Sequence, residues 1–261
     1  MARYRLPRGM RYATLEERKK FYSEEFSVKK VGEWFHNATG KIRFAVIIGR
    51  HTRIYPRKYH EDAETTIIID EYEDLNDVRG QIVEFEPEAA YYDRNVYDDS
   101  ARKIGQELAF DLDPENVNCP VHGSLADKMK RGQGLSFCKL ELEMVKEEAL
   151  RLHEFLENQF SNMRIAYSGR GFHIHVFDKE AYLFDYKKRL EIARTAKKKG
   201  FAIDEWVTAG EMRLIRLPYS LNGLVSRTVL PLEKTELEKF DPIHDKRCIP
   251  NFLDRQATTS S

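Results

Sequence analysis

At 261 residues the chain is long enough for one well-cored domain, with at most a small appendage. No stretch approaches the ~20 consecutive apolar residues of a membrane span, and no signal peptide opens the chain, which excludes a membrane-spanning or exported protein from the expectations. The formal net charge is zero, so overall charge alone does not point to nucleic acid. Its distribution is uneven: residues 1–60 hold 15 Lys/Arg against 5 Asp/Glu, and residues 61–116 hold 4 against 18. A basic segment beside an acidic one suits a polyanionic substrate handled through cations, or equally two opposite faces that solvate the fold. Three cysteines, an odd number without a secretory signal, point to a cytoplasmic protein with metal binding or free thiols.

In chain order, the first dozen residues are basic and read as a loosely held tail or a nucleic-acid-touching arm. Thr14 and Glu17 have capping-box spacing and predict a helix start, with Leu15, Phe21, Tyr22 and Phe26 as its apolar side. Residues 43–48 and 65–69 read as strands. The run between them carries Arg50, Arg53 and Arg57, on a solvated hairpin or a phosphate-facing one. In the acidic, aromatic segment 71–103 a strand is expected near 82–85 and a helix after Glu88. Leu108, Phe110 and Leu112 alternate with Ala109, Asp111 and Asp113, a period of two that predicts a strand stopped by Pro114.

A polar excursion over 115–136 follows. Leu140, Leu142, Val145, Ala149, Leu152, Leu156 and Phe160 recur at helical spacing and predict a long amphipathic helix to about Gln159. Residues 163–167 and 172–177 read as strands joined by the tight turn Ser168-Gly-Arg-Gly171. Asp178 is the expected cap of a helix ending at Gly200, and short strands fit 202–207, 213–217 and 226–230. The tail over 241–261 is expected to be irregular, with 257–261 disordered. There is no internal repeat.

Three constellations carry chemistry. Residues two apart on a strand share a face, so Asp111 and Asp113 present paired carboxylates with roots about 6.6 Å apart. At an effective dielectric of ~20 they repel by about 2.5 kcal/mol. Divalent cations convert that repulsion into binding, and Mg²⁺ favours a few carboxylates plus substrate phosphates. An acidic strand end entering a turn is the plain alternative. Ser168, Arg170 and His173 surround a glycine turn whose backbone N–H groups suit an anion, although a glycine hairpin with satisfied side chains has the same letters. His175, on the same face as His173, reads equally as a packed core histidine. Asp204 is a candidate third carboxylate. Arg213 and Arg216, three apart, fall on opposite faces of a strand, and Arg216 is the better phosphate candidate.

Taken together, ELAFDLD, YSGRGFHIHV and IDEWVTAGEMRLIRLPYSLNG resemble, in consistent order over most of 15–230, the motifs of the small catalytic subunit of archaeal and eukaryotic DNA primases. The resemblance implies that Asp111, Asp113 and Asp204 bind catalytic Mg²⁺ or Mn²⁺. It implies that Ser168, Arg170, His173 and Arg216 hold the triphosphate of an NTP or dNTP, and that Arg57 matches an early active-site arginine. It implies an α/β (α+β) fold over 1–240: two mostly antiparallel or mixed sheets flanked by helices around a cleft, one half like an RNA-recognition domain. Single-stranded DNA template is the implied partner, with a large primase subunit, a fused accessory domain or a helicase beside it.

The chain departs from the family pattern in two places. Asn222 stands where such primases usually carry histidine, putting a cationic phosphate contact in doubt. Only about 30 residues separate His173 from Asp204, leaving no room for a large helical subdomain, which fits a minimal plasmid-type primase-polymerase. The family often carries a zinc knuckle between its first two motifs, and over 115–138 the matching residues are Cys119, His122 and Cys138. Structural Zn²⁺ takes four ligands, and Glu141, Cys248 or another histidine is open as the fourth; a Cys119–Cys138 disulfide is the rival. An end-joining repair polymerase, a two-metal nuclease and an inactive DNA-binding module remain alternative functions.

Overall fold

The computed structural model describes residues 4–36 and 41–253; the expectation for 257–261 lies outside them. The chain is mixed α/β, with sheets flanked by helices, and it divides into two compact units. Among the described residues no helix is long and apolar enough to cross a membrane.

One unit comprises Met1–Gly9, Gly105–Arg213 and Pro231–Phe240. Its four-stranded sheet runs in the order Leu230–Leu232, Met163–Tyr167, Phe172–Val176, Leu108–Leu112. The Leu108–Leu112 strand pairs antiparallel with Phe172–Val176, with Asp111 opposite His173 and Ala109 opposite His175. Leu108, Phe110 and Leu112 are buried as the alternation predicted. The Lys139–Leu156 helix buries Leu142, Val145, Ala149, Leu152 and Leu156, the expected apolar stripe.

Among the described N-terminal residues, Arg5 is not loose. The Arg5 N–H donates to Ser136 Oγ (2.9 Å) and its carbonyl accepts from Phe137 N (3.0 Å), so an extended backbone satisfies its polar groups against the insertion. Asp178 does not cap the following helix, because its carboxylate accepts from Ser161 N (3.0 Å), Ser161 Oγ (2.8 Å) and Asn162 N (3.0 Å). Asp185 caps it instead, accepting from Lys188 N (2.8 Å), and the helix spans Tyr186–Lys198.

The other unit comprises Met10–Ile104, Leu214–Leu230 and Asp241–Ser261. Its antiparallel sheet runs Thr66–Ile69, Phe44–Ile47, Ala89–Asp93, Leu214–Arg216. The capping box forms as read: the Thr14 N–H donates to Glu17 Oε2 (2.9 Å) and the Glu17 N–H donates to Thr14 Oγ1 (3.2 Å). Between residues 71 and 103 the expectation inverts. Asp74 caps a Leu75–Phe85 helix, Glu86 ends it in the left-handed region (φ 47°), and the strand is Ala89–Asp93. Val78 and Ile82, one helical turn apart, are the buried pair that decides it. Arg18 is fully buried, donating to the carbonyls of Ile48 (3.0 Å) and Ile54 (2.9 Å) and to Thr52 Oγ1 (2.8 Å); burial pulls its guanidinium down to about 10. In the tail, Cys248 is buried and its carbonyl accepts from Thr228 N (2.8 Å), so part of the expected irregular segment is packed into this unit.

Candidate active site and metal cluster

The backbone of the first unit brings the Asp204 main chain beside Asp111. Asp111 lies on the Leu108–Leu112 strand, and its carbonyl accepts from the Asp204 N–H at 2.9 Å, bringing a residue 93 positions away beside it. The strand expected over 202–207 is instead a turn into a short helix, Glu205–Ala209, with Asp204 as its N-cap. Asp204 Oδ1 accepts from Trp206 N (2.8 Å) and Val207 N (3.4 Å), which fixes the rotamer of the third carboxylate.

The glycine turn lies against the end of the same strand. Ser168 N donates to the Gly171 carbonyl (2.9 Å) and Gly171 N to Ser168 Oγ (3.0 Å), so the serine hydroxyl closes the turn; Gly169 adopts φ 100°. A Cβ on Gly171 would sit 2.1 Å from the Leu112 carbonyl and 2.6 Å from Asp113 Oδ1. Glycine at 171 is therefore demanded by close approach to the second aspartate.

His173 is buried, with Nε2 3.3 Å from Asp111 Oδ1. Asp111 Oδ1 and His173 Nδ1 are both buried without a hydrogen-bond partner among the described residues. A buried carboxylate oxygen left unsatisfied is costly, and a cation satisfies it. Carboxylate oxygens such as those of Asp111 suit a hard divalent ion.

Arg170, expected as a phosphate-facing cation, is paired with a carboxylate in this structure. Its Nη2 donates to Glu115 Oε1 (2.6 Å) and to the Leu135 carbonyl (3.4 Å), and its guanidinium lies over the Phe137 ring (5.5 Å). Burial would lower this guanidinium, but the charges of Glu115, Asp113 and Asp111 outweigh it and hold it above its ordinary value. Arg170 thus balances the acidic cluster. Glu115, its partner, lies two residues beyond Asp113, and nothing in the letters distinguished it from the rest of the acidic run. His175 is fully buried and its Nδ1 lies 2.7 Å from Glu107 Oε1, the packed-histidine reading.

The remaining candidates lie in the second unit. Arg57 is exposed at the start of a short 3₁₀ turn and forms no ion pair among the described residues. Arg216 is half-buried with its guanidinium over the Tyr91 ring (5.0 Å), and its Nη1 is buried without a hydrogen-bond partner among the described residues. Asn222 is buried at 1% exposure, and its side-chain oxygen accepts from Leu224 N (3.3 Å), bracing a turn.

A second cluster gathers Cys119, His122, Cys138 and Glu141, whose ligand atoms all lie within 4.8 Å of one another. Cys119 Sγ is 3.5 Å from His122 Nδ1, and Cys138 caps the helix that carries Glu141, accepting from Glu141 N (3.5 Å). Two sulfurs, a nitrogen and an oxygen form a set that can hold a metal ion. Glu141 occupies the place left open for a fourth ligand. Cys248 does not; its thiol lies against the carbonyls of Asp245 (3.2 Å) and Pro242 (3.7 Å). All three cysteines are free thiols, so no Cys119–Cys138 disulfide forms. Glu141 also accepts from the buried Lys128 Nζ (2.7 Å) and from Cys138 N (2.8 Å). Burial, together with the Glu141 charge, raises the Cys138 thiol above its ordinary value. The sequence left Glu141, Cys248 and another histidine open as the fourth ligand, and Cys138 and Glu141 meet through the capping box at the helix start.

The model of the family described as "DNA primase small subunit" matches residues 110–233. An "Uncharacterized DNA primase small subunit-like protein" of Archaeoglobus fulgidus is 50% identical, over 96% of this chain and 94% of that protein. The "DNA primase small subunit PriS" of Pyrobaculum arsenaticum is 30% identical over 64% of this chain and 67% of its own. PriS of Pyrococcus furiosus is 28% identical over 70% of this chain and 48% of its own. Among solved structures, the polymerase domain of Mycobacterium tuberculosis Ligase D in complex with DNA superposes with a TM-score of 0.54 over 91% of this chain and 88% of that one; at 14% identity this is a likeness of fold. With half its residues shared with a relative of nearly the same extent, and the family's model matched over residues 110–233, the chain belongs to the DNA primase small subunit family of archaeal and eukaryotic type.

Proposed function

We propose that this chain is a template-directed nucleotidyltransferase that synthesises primers on single-stranded DNA from NTPs or dNTPs. Family membership supports the activity. The observation that supports the site is the Asp204 N–H to Asp111 carbonyl bond, which brings the backbone of the third motif aspartate beside the first. Asp111, Asp113 and Asp204 would hold Mg²⁺ or Mn²⁺, which when bound lowers the charge on the attacking 3′-oxygen and steadies the departing pyrophosphate. His173 orients Asp111 from the neighbouring strand. Because the Ser168 and Gly171 N–H groups close the turn, those of Gly169 and Arg170 are the proposed backbone donors to phosphate, and Arg170 keeps the acidic cluster from repelling a polyanion. Arg216 and Arg57, carried by the second unit, are proposed phosphate contacts, with Asn222 a turn brace that can supply an amide. Positioning of this kind is most of phosphoryl-transfer catalysis.

Within this reading, residues 1–240 supply the catalytic region, one half of it RNA-recognition-like, and 115–138 is a zinc-knuckle-like insertion with Zn²⁺ on Cys119, His122, Cys138 and Glu141. A cytoplasmic setting with a large primase subunit, a fused domain or a helicase belongs to the same proposal. Incubation with unprimed single-stranded template, Mg²⁺ or Mn²⁺ and labelled nucleotides tests it. De novo products supported by NTPs or dNTPs, and lost in Asp111→Ala and Asp113→Ala, are expected. Extension only of supplied primers would move the assignment to end-filling repair synthesis, and DNA breakdown without incorporation would overturn it.

A further inference from the structure

Tryptophan is rarely left in water, because its indole is the largest apolar payload a side chain offers. The chain has two, and they differ sharply: Trp34 is 4% exposed and Trp206 is 64% exposed. Trp206 is on the Glu205–Ala209 helix, two residues past Asp204.

Its backbone is held from three directions. The amide donates to Asp204 Oδ1 (2.8 Å), and the carbonyl accepts from Glu211 N (3.1 Å) and Met212 N (3.2 Å). The end of the helix is clamped where Gln106 Nε2 donates to the Gly210 carbonyl (2.9 Å); a Cβ there would lie 2.5 Å from Gln106 Oε1. The exposed indole thus projects from a rigid support tied to the carboxylate strand, and Met212, 53% exposed, follows on the same support.

The short helix packs on the Tyr186–Lys198 helix, which carries six Lys/Arg against the single acid Glu191 and buries Arg189, Ile192, Ala193 and Ala196. Arg194 and Lys197 approach Glu205 at 3.6 and 4.0 Å. Lys187, Lys198 and Lys199 are exposed and form no ion pair among the described residues. A planar apolar face on a fixed backbone, on a helix packed against one that carries unneutralised cations, has the two components that sequence-tolerant single-strand binders combine, one for the base and one for the phosphates. A protein partner fits the charge less well, since lysine is depleted at the cores of protein interfaces.

We infer that Trp206, with the exposed lysines of the adjoining helix, is a stacking platform for a base of single-stranded DNA. That the strand is a template rests on the primase reading; the platform itself does not. The test titrates the protein, without nucleotide or metal, with end-labelled oligo(dT), following anisotropy and tryptophan emission together. Trp206 emission should be quenched and shielded from iodide as the oligonucleotide binds, while duplex DNA, whose base faces are covered, should leave it unchanged. Trp206→Phe should abolish the emission change, and Trp206→Ala should weaken oligo(dT) binding by about 5- to 150-fold, the loss of one stacked base. Lys198→Glu with Lys199→Glu should flatten the salt dependence of binding.

Binding without any change in emission, unaltered binding by Trp206→Ala, equal quenching by duplex, or no binding of oligo(dT) would each overturn the inference. If the platform results hold but no template supports incorporation, the primase reading fails alone. If incorporation proceeds and Trp206→Ala keeps the wild-type template KM, the platform fails alone.

Discussion

Gly171→Ala is the sharpest probe of the arrangement of turn and carboxylates. The added methyl would lie 2.1 Å from the Leu112 carbonyl, 2.6 Å from Asp113 Oδ1 and 3.0 Å from Asp113 Cα. Carbon–oxygen contacts below 3.0 Å are essentially never found, so turn and strand must separate by about 0.9 Å at least. Two of the three obstructing atoms are backbone, and the strand they belong to carries Asp111 one residue earlier, so the displacement passes directly into the carboxylate site. Overpacking of this kind costs about 1–3 kcal/mol of stability, a tolerable loss for a domain of this size. A shift near 1 Å in a positioned catalytic group costs about 10²-fold in rate. Steady-state incorporation on a primed template, at saturating Mg²⁺ or Mn²⁺ and beside a thermal melt, should therefore show a folded protein with kcat reduced about a hundredfold. A folded Gly171→Ala variant with wild-type kcat would refute the claim that this turn registers Asp113.

Other substitutions test separate parts of the argument. Gly80→Ala, inside the Leu75–Phe85 helix and with nothing within 4 Å of the new methyl, should raise stability by about 0.5–1 kcal/mol in a denaturant titration, with incorporation unchanged. Metal analysis of the purified protein should find one zinc per chain, and Cys119→Ser or Glu141→Ala should lower zinc content and melting temperature; a zinc-free protein with the same melting temperature would count against the cluster. His153 is held below the usual imidazole value by burial, against an opposing pull from Glu157. Its folded value lies below its unfolded one, so its contribution is present above about pH 6.5 and is lost as pH falls through the folded value. The melting-temperature difference between wild type and His153→Gln should therefore shrink between pH 7.5 and 5. Asp204→Asn should abolish incorporation while keeping the helix cap, because an amide oxygen can still accept from Trp206 N.

Much of the local structure was legible in the letters because local forces decide it. Period-two alternation before Pro114 and the Thr14–Glu17 capping box each depend on neighbours within a few residues, and both formed as read. The three motifs around Asp111, Ser168 and Asp204 were legible as a family signature. The failures occurred where two local solutions were close in energy and a distant contact chose between them. Residues 75–93 carried both helical and strand patterns, and pairing of Ala89–Asp93 with Phe44–Ile47 and Leu214–Arg216 settled the order. Asp178 had a capping residue's chemistry, but Ser161 and Asn162 took its carboxylate first.

The sequence by itself determined which side chains were available: three motif aspartates, a glycine turn, and thiols spaced for a metal. Only the tertiary structure decided which of them meet. A backbone bond across 93 residues set Asp204 beside Asp111, the close approach of turn and strand made Gly171 obligatory, and a half-buried Glu115 claimed Arg170. Bonds and steric contacts of that kind act over a few ångströms, and sequence separation carries no information about which residues the folded chain brings within that range.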